Sequence, residues 1–494
     1  MTKILKKPLP KLRKYQLEDL KRWVANNYRG GWFWDPGLGK TFAGSFVIKR
    51  LLDLKKVHRV FVFGPKIAIP VWHGFLVEKM GVPEDIIFDY TKRKASETFT
   101  DKHKIFLMNY NLIPPRKNKP RLKIKGGFDE DGNYVTEIFK APPVRKIRTF
   151  PTDVDLWIPD ESHMLKGHGS NAYKFFLDYV KPGDKILALS GTPFPNREVS
   201  CFTQVNLVDP GALGKHITEF HVNYCNSKDK KLGMWYLKPE KLAEVDKKIL
   251  KNFCFRKVTD HLDLPPHTDI KLKYELNDKQ LKFISTAYNK NVADTGEKAV
   301  LLSTRPVVGT MIQQALSGLV DMSVTEMYTG NKHNIICNLG TEAKYNTLMD
   351  FMENFGSNKL LLWVNFNVTG DYLYQRLKQD GFKVDRFHRG DKKNMKERIK
   401  EFTDGDVQIL MSHPQIVGIA VNYFTNINYM LWYELSHNWA HYHQAVTRIH
   451  RDGQQNPTFS YALVGHRTDE VILKALKEKA DVQERLSQDY LNLV

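Results

Sequence analysis

The residues of this chain that could do chemistry fall in three short stretches. The first is Trp32-Phe33-Trp34-Asp35-Pro36-Gly37-Leu38-Gly39-Lys40-Thr41, an apolar run entering a glycine-punctuated turn. An apolar periodicity follows at positions 42, 43, 46, 47 and 51, which predicts a helix. A strand, a glycine-rich turn and a helix N-terminus make a phosphate cradle: backbone N–H groups and the helix dipole face the anion. In that arrangement Gly37, Leu38 and Gly39 form the cradle and Lys40 adds a point charge at the β- and γ-phosphates. Thr41 would place its hydroxyl on a Mg²⁺ ion. The spacing departs from GxxxxGK[ST], because the first glycine falls on Trp34.

The second stretch, Asp155-Leu156-Trp157-Ile158-Pro159-Asp160-Glu161-Ser162-His163, is an apolar strand ending in a carboxylate pair. Asp160 can hold the Mg²⁺ shell and Glu161 can polarise an attacking water, the two needs of nucleoside triphosphate hydrolysis. The third runs from Gln444 to Gln454 and carries Arg448 and Arg451. Their i,i+3 spacing predicts one helix face. Both could reach a γ-phosphate, where an arginine finger is worth about 10³–10⁵ in rate.

These residues must be positioned by something, and 494 residues are enough for two to four domains. Composition is that of a globular protein, 42% hydrophobic and 26% charged. The excess of 75 Lys+Arg over 55 Asp+Glu gives a formal charge of +20 and favours a polyanionic partner, most simply nucleic acid. Cys201, Cys225, Cys254 and Cys337 are scattered, so neither a disulfide framework nor a zinc site is implied and a reducing compartment fits. The N-terminus lacks an apolar signal region and no run of about 18 apolar residues occurs. A soluble, intracellular protein without a membrane partner is expected.

Residues 1–11 read as a basic tail. Leu12-Arg13-Lys14-Tyr15-Gln16 opens a helix to about Asn26, with Leu17, Leu20, Trp23 and Val24 on its apolar side. A glutamine can read adenine through its amide; a solvent-facing helix residue is the other reading of Gln16. Buried-type strands follow at 59–66 and 105–110, and ligands of open α/β sheets bind beyond the carboxyl ends of such strands. Lys66 and Asn109 therefore stand either as phosphate contacts or as plain loop residues. Residues 113–150 break the rhythm, and Asp131-Gly132 before alternating Tyr134-Val135-Thr136-Glu137-Ile138-Phe139 suggests an inserted basic hairpin. It would touch nucleic acid or be a solvated decoration. A further strand, 185–189, ends in Ser190-Gly191-Thr192-Pro193, and Pro265-Pro266 is the sharpest boundary signal. Helix starts again near Leu276, with Gln280; residues 291–340 have no clear period. Strands then recur at 360–364, 382–387, 407–412 and 429–433, with a helix over 368–380 and a closing helix from Thr468.

Gln16, Gly37-Leu38-Gly39-Lys40-Thr41, Asp160-Glu161-Ser162-His163, Ser190-Gly191-Thr192-Pro193 and Gln444-Ala445-Val446-Thr447-Arg448-Ile449-His450-Arg451-Asp452-Gly453-Gln454, in this order, resemble the motifs of superfamily 2 helicases. They are most similar to the Swi2/Snf2 branch of double-stranded DNA translocases. His163-Met164-Leu165-Lys166 and Asn196 are details that point to that branch. The segment Phe253-Cys254-Phe255-Arg256-Lys257 with Leu262-Asp263-Leu264-Pro265-Pro266 resembles its linker between lobes. Departures are Ser162 in place of the usual Ala, Val417 and Ala420 where Gly is preferred around Gly418 and Asn422, and His437-Asn438-Trp439 in place of Trp-Asn-Pro.

The resemblance implies an α/β fold: two tandem RecA-like parallel-sheet domains with an ATP cleft between them and small insertions. Lobe 1 would span 12–255 with the insertion 113–150, a linker 256–275, and lobe 2 276–494. Arg13 and Gln16 would bind the nucleotide with Gly37, Leu38, Gly39, Lys40 and Thr41. Lys40, Asp160, Glu161, Arg448 and Arg451 would be catalytic, with Mg²⁺ on Thr41 and Asp160. His163, Ser190, Thr192 and Gln444 would couple hydrolysis to movement, and Lys66, Asn109, Gly418 and Asn422 would touch nucleic acid. The function implied is an ATP-dependent motor, a monomer moving on DNA, duplex before single strand or RNA. A compact prokaryotic or viral motor of repair, recombination or replication is expected, in the cytoplasm or a nucleus. A strand-separating DNA or RNA helicase of the same superfamily is the alternative, and a degenerate nucleic-acid-binding scaffold is the third reading.

Overall fold

The computed structural model describes residues 9–66, 68–94, 97–114, 122–128, 134–140, 149–165, 167–194, 200–229, 234–294, 299–302, 304–325, 332–387, 395–414, 424–436 and 438–491. It forms two compact units, Met1–Lys257 with Gln483–Val494, and Val258–Val482.

The first unit is built on a seven-stranded sheet whose pairings are all parallel. From edge to edge its strands are Phe253–Arg256, Arg29–Trp34, Lys185–Leu189, Leu156–Pro159, Val60–Gly64, Ile105–Asn109 and Ile87–Asp89. Strands such as Val60–Gly64 and Leu156–Pro159 are buried throughout, as continuous apolar runs in a two-sided parallel sheet must be. The strand that feeds the glycine turn and the strand that ends at the acidic pair are thus separated by one strand, the one ending at Ser190. Along the chain, a brief edge strand, Ile87–Asp89, falls between the two strands expected at 59–66 and 105–110 and was not foreseen.

The second unit holds a six-stranded, all-parallel sheet in the order His267–Lys273, Thr458–Val464, Tyr429–Trp432, Leu360–Trp363, Ile409–Ser412 and Val384–Phe387. Alternate residues of one strand enter different cores: Leu361 and Trp363 join Met430, Trp432 and Leu410, whereas Leu360 and Leu362 join Leu431, Ile409 and Met411. That two-sided burial explains the unbroken Leu-Leu-Leu-Trp run. Two α/β domains with parallel sheets are therefore present, as the motif order implied.

Several expectations are corrected. Arg256 pairs in the first sheet and His267–Lys273 in the second, so the segment 256–275 contributes strands at both ends instead of serving wholly as linker. The strand Thr458–Val464 was not foreseen. Residues 291–340 form the hairpins Val292–Asp294/Ala299–Leu301 and Leu319–Thr325/Lys332–Asn338 and the helix Arg305–Leu316, which share a small core with the helix Asp278–Lys290 around Phe283, Ile312 and Val320. The insertion does contain a hairpin, Leu122–Phe128 against Tyr134–Lys140. The terminal helix Arg467–Leu491 leaves the second unit at Gln483, so lobe 2 does not hold all of it.

The first helix, Lys14–Ala25, buries Trp23 as expected, but the rest of its packed face differs from the one expected. Leu17 and Val24 are 44% and 40% exposed, while Tyr15, Gln16, Asp19 and Trp23 are buried. Hydrogen bonds decide it. Asp19, fully buried, accepts from the Trp34 indole at 2.7 Å, from the Arg256 guanidinium at 2.6 Å and from the Tyr490 hydroxyl at 2.7 Å. A buried carboxylate with three donors is satisfied, so polar residues displace leucine and valine from the packed side.

Candidate active site

The glycine turn is held open by backbone geometry that side chains disfavour. Gly37 and Gly39 have φ of +96° and +76°, and Gly39 caps the helix Lys40–Asp53. Leu38, between them, is buried, and its carbonyl accepts from the Tyr15 hydroxyl at 2.8 Å and from Gln16 Nε2 at 3.0 Å. Gln16 Oε1 in turn accepts from the Arg13 backbone N–H at 3.0 Å. Gln16 is thus engaged with the turn itself, while the Arg13 side chain is exposed. Lys40 Nζ donates to the carbonyls of Trp34 and Asp35 at 2.6 and 3.2 Å, and Thr41 follows in the first helical turn. A Cβ on Gly191 would lie 3.3 Å from Lys40 Nζ, so the end of the neighbouring strand abuts the lysine.

The acidic pair continues the strand Leu156–Pro159. Asp160 Oδ2 accepts from the Trp72 indole at 2.8 Å and Oδ1 from the Glu161 N–H at 3.0 Å. The Tyr110 hydroxyl donates to the Asp160 carbonyl at 2.8 Å. Burial, then the Glu161 charge, pushes the Asp160 carboxyl up to about 6, against the pull of the Trp72 hydrogen bond and Lys40. Glu161 sits at φ +51°, a left-handed position for a non-glycine residue, and its carbonyl opens the turn Ser162–Leu165 by accepting from Met164 N–H at 2.8 Å.

His163 Nδ1 lies 3.2 Å from Glu161 Oε2, 3.1 Å from Ser190 Oγ and 3.5 Å from Thr192 Oγ1. The Thr192 N–H donates to Ser190 Oγ at 3.1 Å. One ring nitrogen therefore joins the acidic pair to the end of the adjacent strand. The serine that departs from the family pattern has work of its own: Ser162 Oγ donates to Gln204 Oε1 at 2.6 Å, and Gln204 Nε2 donates to the Pro193 carbonyl at 2.6 Å. This second link between the two loops was not legible beforehand, since Gln204 sits in the unremarkable helix Cys201–Val208.

In the second unit the helix Trp439–Ile449 carries Gln444 and Arg448, and His450 caps it with φ −96° and ψ 85°. Arg451 lies beyond the cap, so the two arginines do not share one helix face. Arg451 is 8% exposed, and burial lowers its pKa while Asp452 opposes the shift. The turn after it is fixed by Gly453 at φ +96° and by Gln454. Gln454 Nε2 donates to the carbonyls of Ile427 and Ile449 at 3.0 and 3.1 Å, and Oε1 accepts from the N–H groups of Gln455 and Asn456.

Lys66 is exposed after its strand; Asn109 is buried, which takes it from the surface where a backbone contact was expected. Gly418, Asn422, His437 and Asn196 lie outside the described residues. Among the described residues, no cluster of three or more His, Cys, Asp or Glu could cage a metal, and no helix is long and apolar enough to cross a membrane. One buried carboxylate beside a helix N-terminus bearing a hydroxyl suits Mg²⁺, which is held by one or two carboxylates together with substrate phosphates. The donor set fits.

A family model described as the SNF2-related domain matches residues 15–319, well over half of the chain, and one described as the helicase conserved C-terminal domain matches 343–453. The chain is 23% identical over 468 residues to a Bacillus subtilis protein named as the uncharacterized ATP-dependent helicase YqhH, covering 92% of this chain and 75% of that one. It is 26% identical over 347 residues to the DNA repair and recombination protein RAD54-like of Drosophila pseudoobscura pseudoobscura, covering 63% of this chain and 43% of the relative, less than half its length. The Sulfolobus solfataricus SWI2/SNF2 ATPase core solved with dsDNA aligns over 97% of this chain and 93% of its own at 15% identity and a TM-score of 0.41. The chain belongs to the SNF2-related family, the Swi2/Snf2 branch of the superfamily 2 ATP-dependent helicases.

Proposed function

We propose that this protein hydrolyses ATP when bound to DNA and uses the reaction to move along the duplex. The observation that supports the reading most is the approach, within the first unit, of three elements. They are a glycine turn with Lys40 at its helix, the Asp160–Glu161 pair one strand away, and the Ser190–Thr192 loop joined to that pair through His163.

The backbone of Gly37–Gly39 and the Lys40 ammonium would bind the β- and γ-phosphates, and Arg13 and Gln16 would border the nucleotide. Thr41 and Asp160 would hold Mg²⁺, which when bound neutralises phosphate charge. Glu161 would orient the attacking water and take its proton. Arg448 and Arg451, from the second unit, would stabilise charge developing on the γ-phosphate; a cation desolvated like Arg451 gains from meeting an anion. His163 Nδ1 faces both Glu161 and Ser190, so a change in what Glu161 holds alters what Ser190 and Thr192 receive. With Gln444 these would pass hydrolysis on as movement. The charge of +20 supports a nucleic-acid track, with Lys66, Gly418 and Asn422 as candidate contacts.

The reading is tested by ATP hydrolysis with no nucleic acid, duplex DNA, single-stranded DNA and RNA. Strong stimulation by duplex supports it. Stimulation by single strands or RNA alone would favour a strand-separating helicase.

A further inference from the structure

The helix that carries Lys40 and Thr41 and the carboxylate of Asp160 meet at one side chain. Trp72, on the short helix Ala68–Gly74, is fully buried, and its indole N–H donates to Asp160 Oδ2 at 2.8 Å. The far edge of the same indole rests on Gly44, the fifth residue of the helix Lys40–Asp53. A Cβ placed there would lie 2.5 Å from Trp72 Cη2 and 3.2 Å from Cζ3. Real Cβ atoms do not come so close, so glycine is what lets the phosphate helix approach the ring. A single rigid bicycle therefore touches the helix on one side and the carboxylate on the other.

We propose that Trp72 is a positioning residue for the Mg²⁺ site: it sets the distance between Thr41 and Asp160 and fixes the rotation of the Asp160 carboxylate. The inference rests on the reading of Asp160 as a Mg²⁺ ligand. The two Asp160 oxygens each accept one protein hydrogen bond, from Trp72 and from the Glu161 N–H, which locks the plane of the group and leaves a further lone pair on each oxygen for a cation. The Tyr110 hydroxyl holds the Asp160 carbonyl, so the backbone is fixed as well. With the indole N–H removed, the carboxylate is free to rotate and its lone pairs no longer arrive already aimed. A tryptophan that served only the core would behave differently: phenylalanine would replace it at a cost in stability alone.

The test separates nucleotide affinity from its dependence on Mg²⁺. The affinity of a fluorescent ADP analogue is measured in Mg²⁺ and in EDTA for the native chain, Trp72→Phe, Gly44→Ala and Asp160→Asn, with thermal melting recorded for each. Trp72→Phe keeps an aromatic ring but has no donor; Gly44→Ala keeps the donor and displaces the ring. Both are expected to bind the analogue in EDTA as the native chain does and to lose about tenfold of the affinity gained from Mg²⁺, the order expected when one hydrogen bond to a charged group is lost. In Asp160→Asn the gain should be gone, and adding Trp72→Phe to it should change nothing further. A full Mg²⁺ gain in Trp72→Phe and Gly44→Ala alongside its loss in Asp160→Asn overturns the role of Trp72 alone. A full gain in Asp160→Asn overturns the assignment of Asp160 and the inference with it. An equal fall in both media also overturns the inference, because it marks Trp72 as a core residue only.

Discussion

The side-chain amide of Gln16 donates to the Leu38 carbonyl at 3.0 Å, tying the first helix to the crest of the glycine turn. Its other end is held by the Arg13 N–H, and a Cβ on Gly39 would come within 3.0 Å of its Nε2. Gln16 thus shapes the glycine turn, whatever it also offers to a base. Gln16→Ala is expected to weaken ATP by about tenfold, the cost of leaving a buried carbonyl under-satisfied, and to weaken GTP and inorganic tripolyphosphate too. Equilibrium binding of the three ligands checks this. A loss confined to ATP would assign Gln16 to the base alone.

Lys40→Ala and Arg451→Ala separate binding from catalysis. Lys40→Ala should reduce both nucleotide affinity and turnover. Arg451→Ala should leave ADP affinity within about twofold and cut turnover by about 10³ or more, the scale of an arginine finger. Single-turnover hydrolysis with bound nucleotide measures the second effect directly.

The hub at Asp19 predicts a stability phenotype far from any nucleotide chemistry. Tyr490→Phe removes one of three donors and should cost about 1–3 kcal/mol, because Arg256 still satisfies the same oxygen. Asp19→Ala removes the buried carboxylate 2.6 Å from the Arg256 guanidinium and leaves only the half-exposed Glu18 at 3.2 Å, and should cost about 3 kcal/mol. Denaturant unfolding of the two variants checks the order.

Lys344 gives the second unit a pH dependence. It is 3% exposed between the rings of Tyr274 and Tyr433, each 5.0 Å from its ammonium, and burial lowers its pKa while Asp469 and Glu434 oppose the shift. A lysine whose folded pKa is depressed binds fewer protons folded than unfolded. Stability therefore rises with pH between the lowered folded value and the unfolded value of about 10.4. Lys344→Met should flatten that rise in urea unfolding across neutral to alkaline pH. An unchanged slope would exclude Lys344 as its source.

The sequence reading reached furthest where residue type and spacing are dictated locally. A Gly-x-Gly-Lys-Thr turn needs left-handed backbone at Gly37 and Gly39, and an apolar strand running into Asp160-Glu161 needs no partner to be recognised. It stopped where partners are distant in sequence. Trp72 meets Asp160 across 88 positions, and Asp19 meets Tyr490 across 471. Neither pairing leaves a local pattern. The first helix was partly rotated in expectation because Leu17 and Val24 outweighed Asp19 on hydropathy, whereas hydrogen bonds from three residues to Asp19 decided the matter. Arg451 was put on a helix by its spacing from Arg448, and the helix ends first at His450. The edge strand at 267–273 escaped notice because half-exposed, lysine-bearing residues blur its apolar run, and the strand at 458–464, inside the sheet, because Thr458 and Ser460 break up its apolar residues.

The central claim is that hydrolysis drives movement on duplex DNA. It is tested most directly by displacement of a triplex-forming third strand placed downstream of the loading site, which reports movement without strand separation. With ATP and Mg²⁺ the native chain should release the third strand, more slowly as salt rises, and Lys40→Ala and Arg451→Ala should not. Duplex-stimulated hydrolysis by the native chain without any release of the third strand would contradict the account.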